Sequence, residues 1–125
     1  QMVFCVIGDL SFFYDQNALW NANMKGNLRI MLLNNSGGAI FGTLNGLADS
    51  PVANSYIAAH HNTEAQGICT QNDIGYLKAT NVSEMRIGIV RLMTAETNRP
   101  LLLEVFTDRN DDLRAFKEYF EHIRK

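Results

Sequence analysis

Four short apolar runs punctuate the chain, and the stretches between them carry apolar residues at helical spacing. The first run, Val3-Phe4-Cys5-Val6-Ile7, shows no polar alternation and stops at Gly8-Asp9. An unbroken run of this length predicts a strand buried on both faces, as in a parallel sheet. Ile30-Met31-Leu32-Leu33 repeats the pattern and stops at Asn34-Asn35. Leu101-Leu102-Leu103-Glu104-Val105-Phe106 does so again and stops at Thr107-Asp108, with Gly75–Ala79 a weaker fourth strand.

Between these runs the period changes. Met85, Ile89, Leu92 and Met93 fall on one helical face, and Asn81 followed by Glu84 reads as its cap and capping-box partner. Leu113, Phe116, Phe120 and Ile123 form a second such stripe. Asp108, Asp111 and Asp112 at its start and Arg124-Lys125 at its end match the helix dipole. The stretch from Phe12 to Lys25 is a poorer helix former, with Phe13, Trp20 and Met24 able to share a face and Gly26 as its stop. A short helix is expected within Thr63–Asp73, and a long loop from Leu44 to Asn62. Strands alternating with helices predict an α/β fold, a three-layer α/β/α arrangement around a mostly parallel sheet with right-handed crossovers.

At 125 residues, with no linker, repeat or low-complexity stretch, residues 1–125 are expected to form one domain. Because the chain opens directly on a buried-looking strand, it is expected to be an N-terminally truncated part of a longer protein. A net charge of −2 leaves no positive surplus for nucleic acid or an anionic membrane surface. The apolar runs fall far short of the roughly 20 residues needed to span a bilayer. Cys5 and Cys69, with no CxxC spacing, read as reduced thiols of a cytoplasmic protein.

In α/β sheets, ligands bind beyond the carboxyl ends of strands. That rule points to Gly8-Asp9-Leu10-Ser11 and Asn34-Asn35-Ser36-Gly37-Gly38. Asp9 and Asn35 lie 26 residues apart, about one strand–helix–strand crossover, so a parallel sheet would set them side by side. A carboxylate oxygen, an amide oxygen and a loop carbonyl from the glycine pair form a hard donor set of the kind Mg²⁺ prefers. Glycines at 8, 37 and 38 let backbone approach a ligand closely. The amides of Leu10 and Ser11, at the start of a helix, are placed to donate to phosphate oxygens. A magnesium-bridged diphosphate is the expected ligand. The plainer alternative is a turn with a capping aspartate beside an ordinary polar loop.

These residues resemble a known family. Gly8-Asp9 followed by Asn34-Asn35 at a strand end resembles the signature of thiamine-diphosphate enzymes. The longer strings Gly8–Leu19 and Leu32–Phe41 are similar to the menaquinone-pathway MenD family, the 2-succinyl-5-enolpyruvyl-6-hydroxy-3-cyclohexene-1-carboxylate synthases. The resemblance implies a partial thiamine-diphosphate-binding fold, the diphosphate- and metal-binding domain of a three-domain enzyme. It implies thiamine diphosphate with Mg²⁺ (or Mn²⁺) as cofactors. Asp9 and Asn35 would ligate the metal through side chains and Gly37 through its carbonyl. Gly8, Leu10, Ser11 and Gly38 would lie against the diphosphate, and Ile40 and Phe41 along the cofactor and substrate cavity. No catalytic residue is expected in this chain. The activating glutamate would come from the pyrimidine-binding domain of a second subunit, within a homodimer or homotetramer. The implied reaction decarboxylates 2-oxoglutarate and adds the resulting succinyl semialdehyde carbanion to isochorismate, and this chain alone would be inactive. Ser36 departs from the pattern, standing where a third Asn or another polar residue is common.

Two alternatives compete: another thiamine-diphosphate-dependent 2-oxo acid decarboxylase or ligase such as acetolactate synthase, and a non-catalytic flavodoxin-like binding module. Leu10 and the string Gly37–Phe41 argue against the first, and the absence of a lysine near Thr107–Asn110 argues against a phosphoacceptor form of the second. His60-His61 are adjacent on a loop, with no matching ligand spacing, and read as a loop edge rather than a metal site. His122 reads as an exposed, inert residue. Phe12, Phe13 and Tyr14 suit either the core or a subunit interface.

Overall fold

The computed structural model describes residues 1–44, 46–47 and 50–123. Its order is β1 (Val3–Gly8), α1 (Asp9–Tyr14), β2 (Leu28–Asn34), α2 (Gln66–Gln71), β3 (Gly75–Ala79), α3 (Val82–Thr94), β4 (Leu101–Phe106) and α4 (Arg109–Ile123). Short 3₁₀ turns at Gln16–Trp20 and Ala39–Thr43 and a π turn at Ala53–Ile57 complete the described elements. The chain divides into two units: residues 1–34 with 64–106, and residues 35–63 with 107–125.

The first unit holds the whole sheet. Four parallel strands run in the order β1-β2-β4-β3. The α/β class is as expected, and each expected strand forms. Side-chain alternation assigns the two faces. Ile30, Leu32 and Leu102 join Phe12, Leu19, Ala65, Cys69 and Ile74 in one core cluster, on the side covered by α1, α2 and the first 3₁₀ turn. Leu103, Val105 and Ala79 join Leu92, with Met31, Leu77, Met85 and Ile89 packed against them, on the side covered by α3. Helices on both faces make three layers. Leu32, Leu102 and Leu103 are fully buried, each contributing about 1.5–3 kcal/mol by leaving water.

Two expectations fail. β1 is not buried on both faces: Val3, Phe4 and Val6 are 50%, 52% and 66% exposed. It is an edge strand, and its register sets Cys5 beside Ile30, towards the core, and Val6 beside Met31, on the α3 side. α3 packs against β2, β3 and β4, and Phe4 and Val6, on that side of β1, are more than half exposed. An apolar run reports side-chain chemistry, not whether a partner layer reaches that far. The Phe12–Lys25 stretch is also not one helix ending at Gly26. α1 ends at Tyr14 and the 3₁₀ turn at Trp20; Phe12 enters the core, and Trp20 is 78% exposed. Gly26 has a different role. A Cβ there would lie 1.6 Å from the Thr97 carbonyl oxygen, and its amide donates to Asn98 O at 3.1 Å. Only a residue without a side chain permits that approach.

The start of α3 follows the expected cap with one change. Asn81 Oδ1 accepts from Glu84 N at 2.9 Å. The Glu84 carboxylate reaches one residue further back than in a capping box, accepting from Thr80 N at 2.7 Å and Thr80 Oγ1 at 2.9 Å. Those bonds hold its pKa below the usual carboxylate value.

In the second unit, α4 packs on the 3₁₀ turn Ala39–Thr43, with the Leu113 side chain against Gly42. Among the described residues no helix is long and apolar enough to cross a membrane.

Candidate functional site

The residues expected to form the site divide between the two units, and each unit is described by itself. In the first, Gly8 pairs with Leu33 in parallel register, so the carboxyl tips of β1 and β2 lie side by side. Asp9 follows immediately, as the first residue of α1, and is 4% exposed. Its Oδ1 accepts from Leu10 N at 2.7 Å. That bond orients the carboxylate and occupies the Leu10 amide expected to face phosphate. Ser11, one residue on, is exposed.

The same unit holds a buried polar centre that the pattern of apolar runs does not announce. Glu104, in the middle of β4, is 0% exposed. Its carboxylate accepts from Asn34 Nδ2 at 2.8 Å, from Ala65 N at 3.0 and 3.2 Å, and from Tyr76 Oη at 2.6 Å. Donors from β2, β3 and the approach to α2 thus converge on one buried carboxylate, as burial of such a group requires. Burial and the Glu104 charge push the Cys69 thiol up to about 12 and raise Tyr76 further above its usual value. Asn34, 1% exposed, is consumed in this structural role. A lone Glu in the run Leu101–Phe106 was the available signal. Nearby, Lys78 pairs with Glu64 at 2.9 Å and sits 4.6 Å from the Phe106 ring centroid.

The second unit carries Asn35 to Phe41. Ser36 has φ +64, a left-handed conformation that favours Asn or Gly over Ser. Gly37 has φ +153, and a Cβ there would lie 2.7 Å from Ala58 O. The segment Ala58–His61 backs this loop. Gly38 N donates to Ala58 O at 2.7 Å, His61 N donates to Ser36 O at 3.1 Å, and His60 Nδ1 lies 2.9 Å from Ser36 O. A ring nitrogen facing a carbonyl must carry the proton, so His60 is the donor there. Through these contacts His60 and His61 brace the loop. Asn35 Nδ2 donates to Asp112 Oδ2 at 2.8 Å, in the first turns of α4. Ile40 is 55% exposed and Phe41 partly buried. Gly38, Phe41, Gly42, Ala58, Arg109 and Leu113 line a cavity of about 290 Å³ in this unit.

A larger cavity of about 530 Å³ lies elsewhere in the first unit, among Trp20, Met24, Asp73, Asn98 and Pro100. Those residues precede β2, β3 and β4, so it opens at the amino ends of the strands, opposite the Gly8–Asp9 tip.

The donors fit a hard divalent ion in kind. Among the described residues no group of three or more His, Cys, Asp or Glu gathers. The available donors are instead a carboxylate, an amide and loop carbonyls, the mixed oxygen set that Mg²⁺ accepts while keeping positions for phosphate.

No family model matches the chain. Curated proteins do. A 2-succinyl-5-enolpyruvyl-6-hydroxy-3-cyclohexene-1-carboxylate synthase of Bacteroides thetaiotaomicron is 44% identical over 123 residues, 98% of this chain and 22% of that protein. The resemblance to these synthases is borne out. The synthase of Phocaeicola vulgatus is 44% identical over 122 residues, 97% of this chain and 22% of that protein. That of Desulfotalea psychrophila is 42% identical over 108 residues, 86% of this chain and 20% of its own length. The chain therefore spans about a fifth of the length of the curated relatives it matches.

Proposed function

We propose that this chain is the diphosphate- and metal-binding part of a thiamine-diphosphate-dependent synthase of the menaquinone pathway. The observation that carries the reading is the side-by-side pairing of β1 and β2, which brings the Gly8-Asp9 tip next to the strand that leads into Asn35. The similarity to the named synthases across nearly the whole chain supports the same reading. It favours this synthase over acetolactate synthase or a flavodoxin-like module.

Asp9 and Asn35 hold Mg²⁺ or Mn²⁺ through side-chain oxygens, and Gly37 through its carbonyl. Gly8, Leu10, Ser11 and Gly38 line the diphosphate, the Leu10 amide exchanging its Asp9 partner for a phosphate oxygen. Ile40 and Phe41 form the apolar wall of the cofactor and substrate cavity. When bound, thiamine diphosphate supplies the carbanion chemistry by which 2-oxoglutarate loses carbon dioxide and adds to isochorismate. The chain's own residues anchor and orient; none of them makes or breaks a bond. The remaining groups come from the parent enzyme, including the pyrimidine-binding domain of a second subunit in a homodimer or homotetramer. The free thiols of Cys5 and Cys69 suit a cytoplasmic setting.

The test uses the full-length parent. Mg²⁺-dependent thiamine diphosphate binding should be saturable, and should weaken at least tenfold in Asp9→Ala and in Asn35→Ala. Products formed from 2-oxoglutarate and isochorismate identify the reaction. Wild-type cofactor affinity in both variants overturns the assignment of the site. Turnover with pyruvate alone overturns the assignment of the synthase.

A further inference from the structure

Asn35 has an orientation problem that its neighbours solve. A side-chain amide ends in an oxygen on one side and an amino group on the other, and a half-turn exchanges them at little cost in geometry. Only the oxygen can bind a cation. In this structure the amino end faces Asp112, with Nδ2 donating to Oδ2 at 2.8 Å. That assignment follows from chemistry: an ionised carboxylate only accepts, so the amide cannot turn its oxygen towards it without setting two acceptors against each other. Asp112 is itself held. Thr107 Oγ1 donates to the same Oδ2 at 2.7 Å, and Asp112 N donates to Asp108 O, just before α4, at 2.9 Å.

We infer that Asp112 is a positioning residue: it selects the rotamer of Asn35 that turns Oδ1, rather than Nδ2, away from α4 and towards the divalent cation. The inference rests on the assignment of Asn35 as a metal ligand and adds a residue that touches neither metal nor cofactor. Groups that orient a ligand in this way change metal affinity by about 10- to 100-fold when removed. Asp112 at the start of a helix has an ordinary explanation in the helix dipole, but that explanation requires no contact with Asn35.

The experiment titrates Mn²⁺ into the full-length parent synthase with saturating thiamine diphosphate, and reads free Mn²⁺ by electron paramagnetic resonance. Asp112→Asn keeps the size of the side chain but permits either orientation of Asn35; Mn²⁺ affinity should fall about 10- to 100-fold. The exchanged pair N35D/D112N then separates orientation from structure. It puts oxygens at both ends of residue 35 and a donor at 112, so affinity should recover most of the loss. Wild-type affinity in Asp112→Asn overturns the inference. So does a loss that the exchanged pair leaves unrepaired, which assigns Asp112 a structural role only. Asn35→Ala is the control for the underlying reading. If it binds Mn²⁺ normally, Asn35 is no ligand and both fall; if it loses Mn²⁺ while Asp112→Asn does not, only the role of Asp112 falls.

Discussion

Replacing Glu104 by leucine sets two large effects against each other. A buried carboxylate is expensive to desolvate, and apolar replacement of buried charged groups is often neutral or stabilising. On that reasoning alone Glu104→Leu stabilises the fold. The donors around it argue the opposite. Removing the carboxylate takes an acceptor away from Asn34 Nδ2, Ala65 N and Tyr76 Oη. Tyr76 is only partly buried, so its hydroxyl can turn to water, but Asn34 and Ala65 are 1% and 0% exposed. Leaving Ala65 N without its acceptor costs about 1–3 kcal/mol, and losing the charge-assisted bond from Asn34 costs about 1.5–3 more. Relief of the carboxylate's desolvation offsets part of this, leaving a net loss of about 3 kcal/mol. Glu104→Gln should lose less, about 1–2 kcal/mol. Its oxygen still accepts from Asn34 and Ala65, and its amino group faces the Tyr76 oxygen. Urea unfolding followed by circular dichroism measures both, with an unchanged denaturant slope reporting a native-state effect. A leucine variant as stable as the parent, or more stable than the glutamine variant, refutes the reasoning. It would mean that charge burial, not donor satisfaction, dominates at this position.

Three further outcomes follow from particular contacts. Asn81→Ala removes the acceptor of Glu84 N and should destabilise the chain by about 1 kcal/mol, read as a lower unfolding midpoint; an unchanged midpoint refutes the cap. Gly37→Ala drives a Cβ to 2.7 Å from the Ala58 carbonyl at φ +153, so the loop must shift. In the full-length parent it should lose Mg²⁺-dependent cofactor binding with little change in melting temperature, and normal binding would show the loop to be tolerant. Alkaline pH should destabilise the fold through Cys69. Its thiol is raised from 9.0 to about 12 in the folded state, so the unfolded chain releases its proton first. Stability is then full below pH 9 and falls between pH 9 and 12 by up to about 1.4 kcal/mol per unit. Cys69→Ala should flatten that slope, and an unaltered slope would assign it to other groups.

Much of this protein is legible in its sequence, because strands and helices differ in the period of their apolar residues. Unbroken runs at Val3–Ile7, Ile30–Leu33 and Leu101–Phe106, and the stripes along α3 and α4, report local geometry that short-range chemistry determines. The motifs Gly8-Asp9 and Asn34-Asn35 are readable for the same reason: each lies where an apolar run stops. Three things waited for the tertiary structure. Strand order placed β1 at the edge of the described sheet, where residues as apolar as Phe4 and Val6 are more than half exposed. Long-range convergence made Glu104 a hub, drawing donors from residues 34, 65 and 76 that no window of sequence unites. Asp112, which reads locally as a helix-dipole residue, became the partner of Asn35 only when the chain brought positions 77 residues apart into contact. Periodicity encodes which side of an element is apolar. What that side meets, and which carboxylate an amide donates to, is decided by residues distant in the chain.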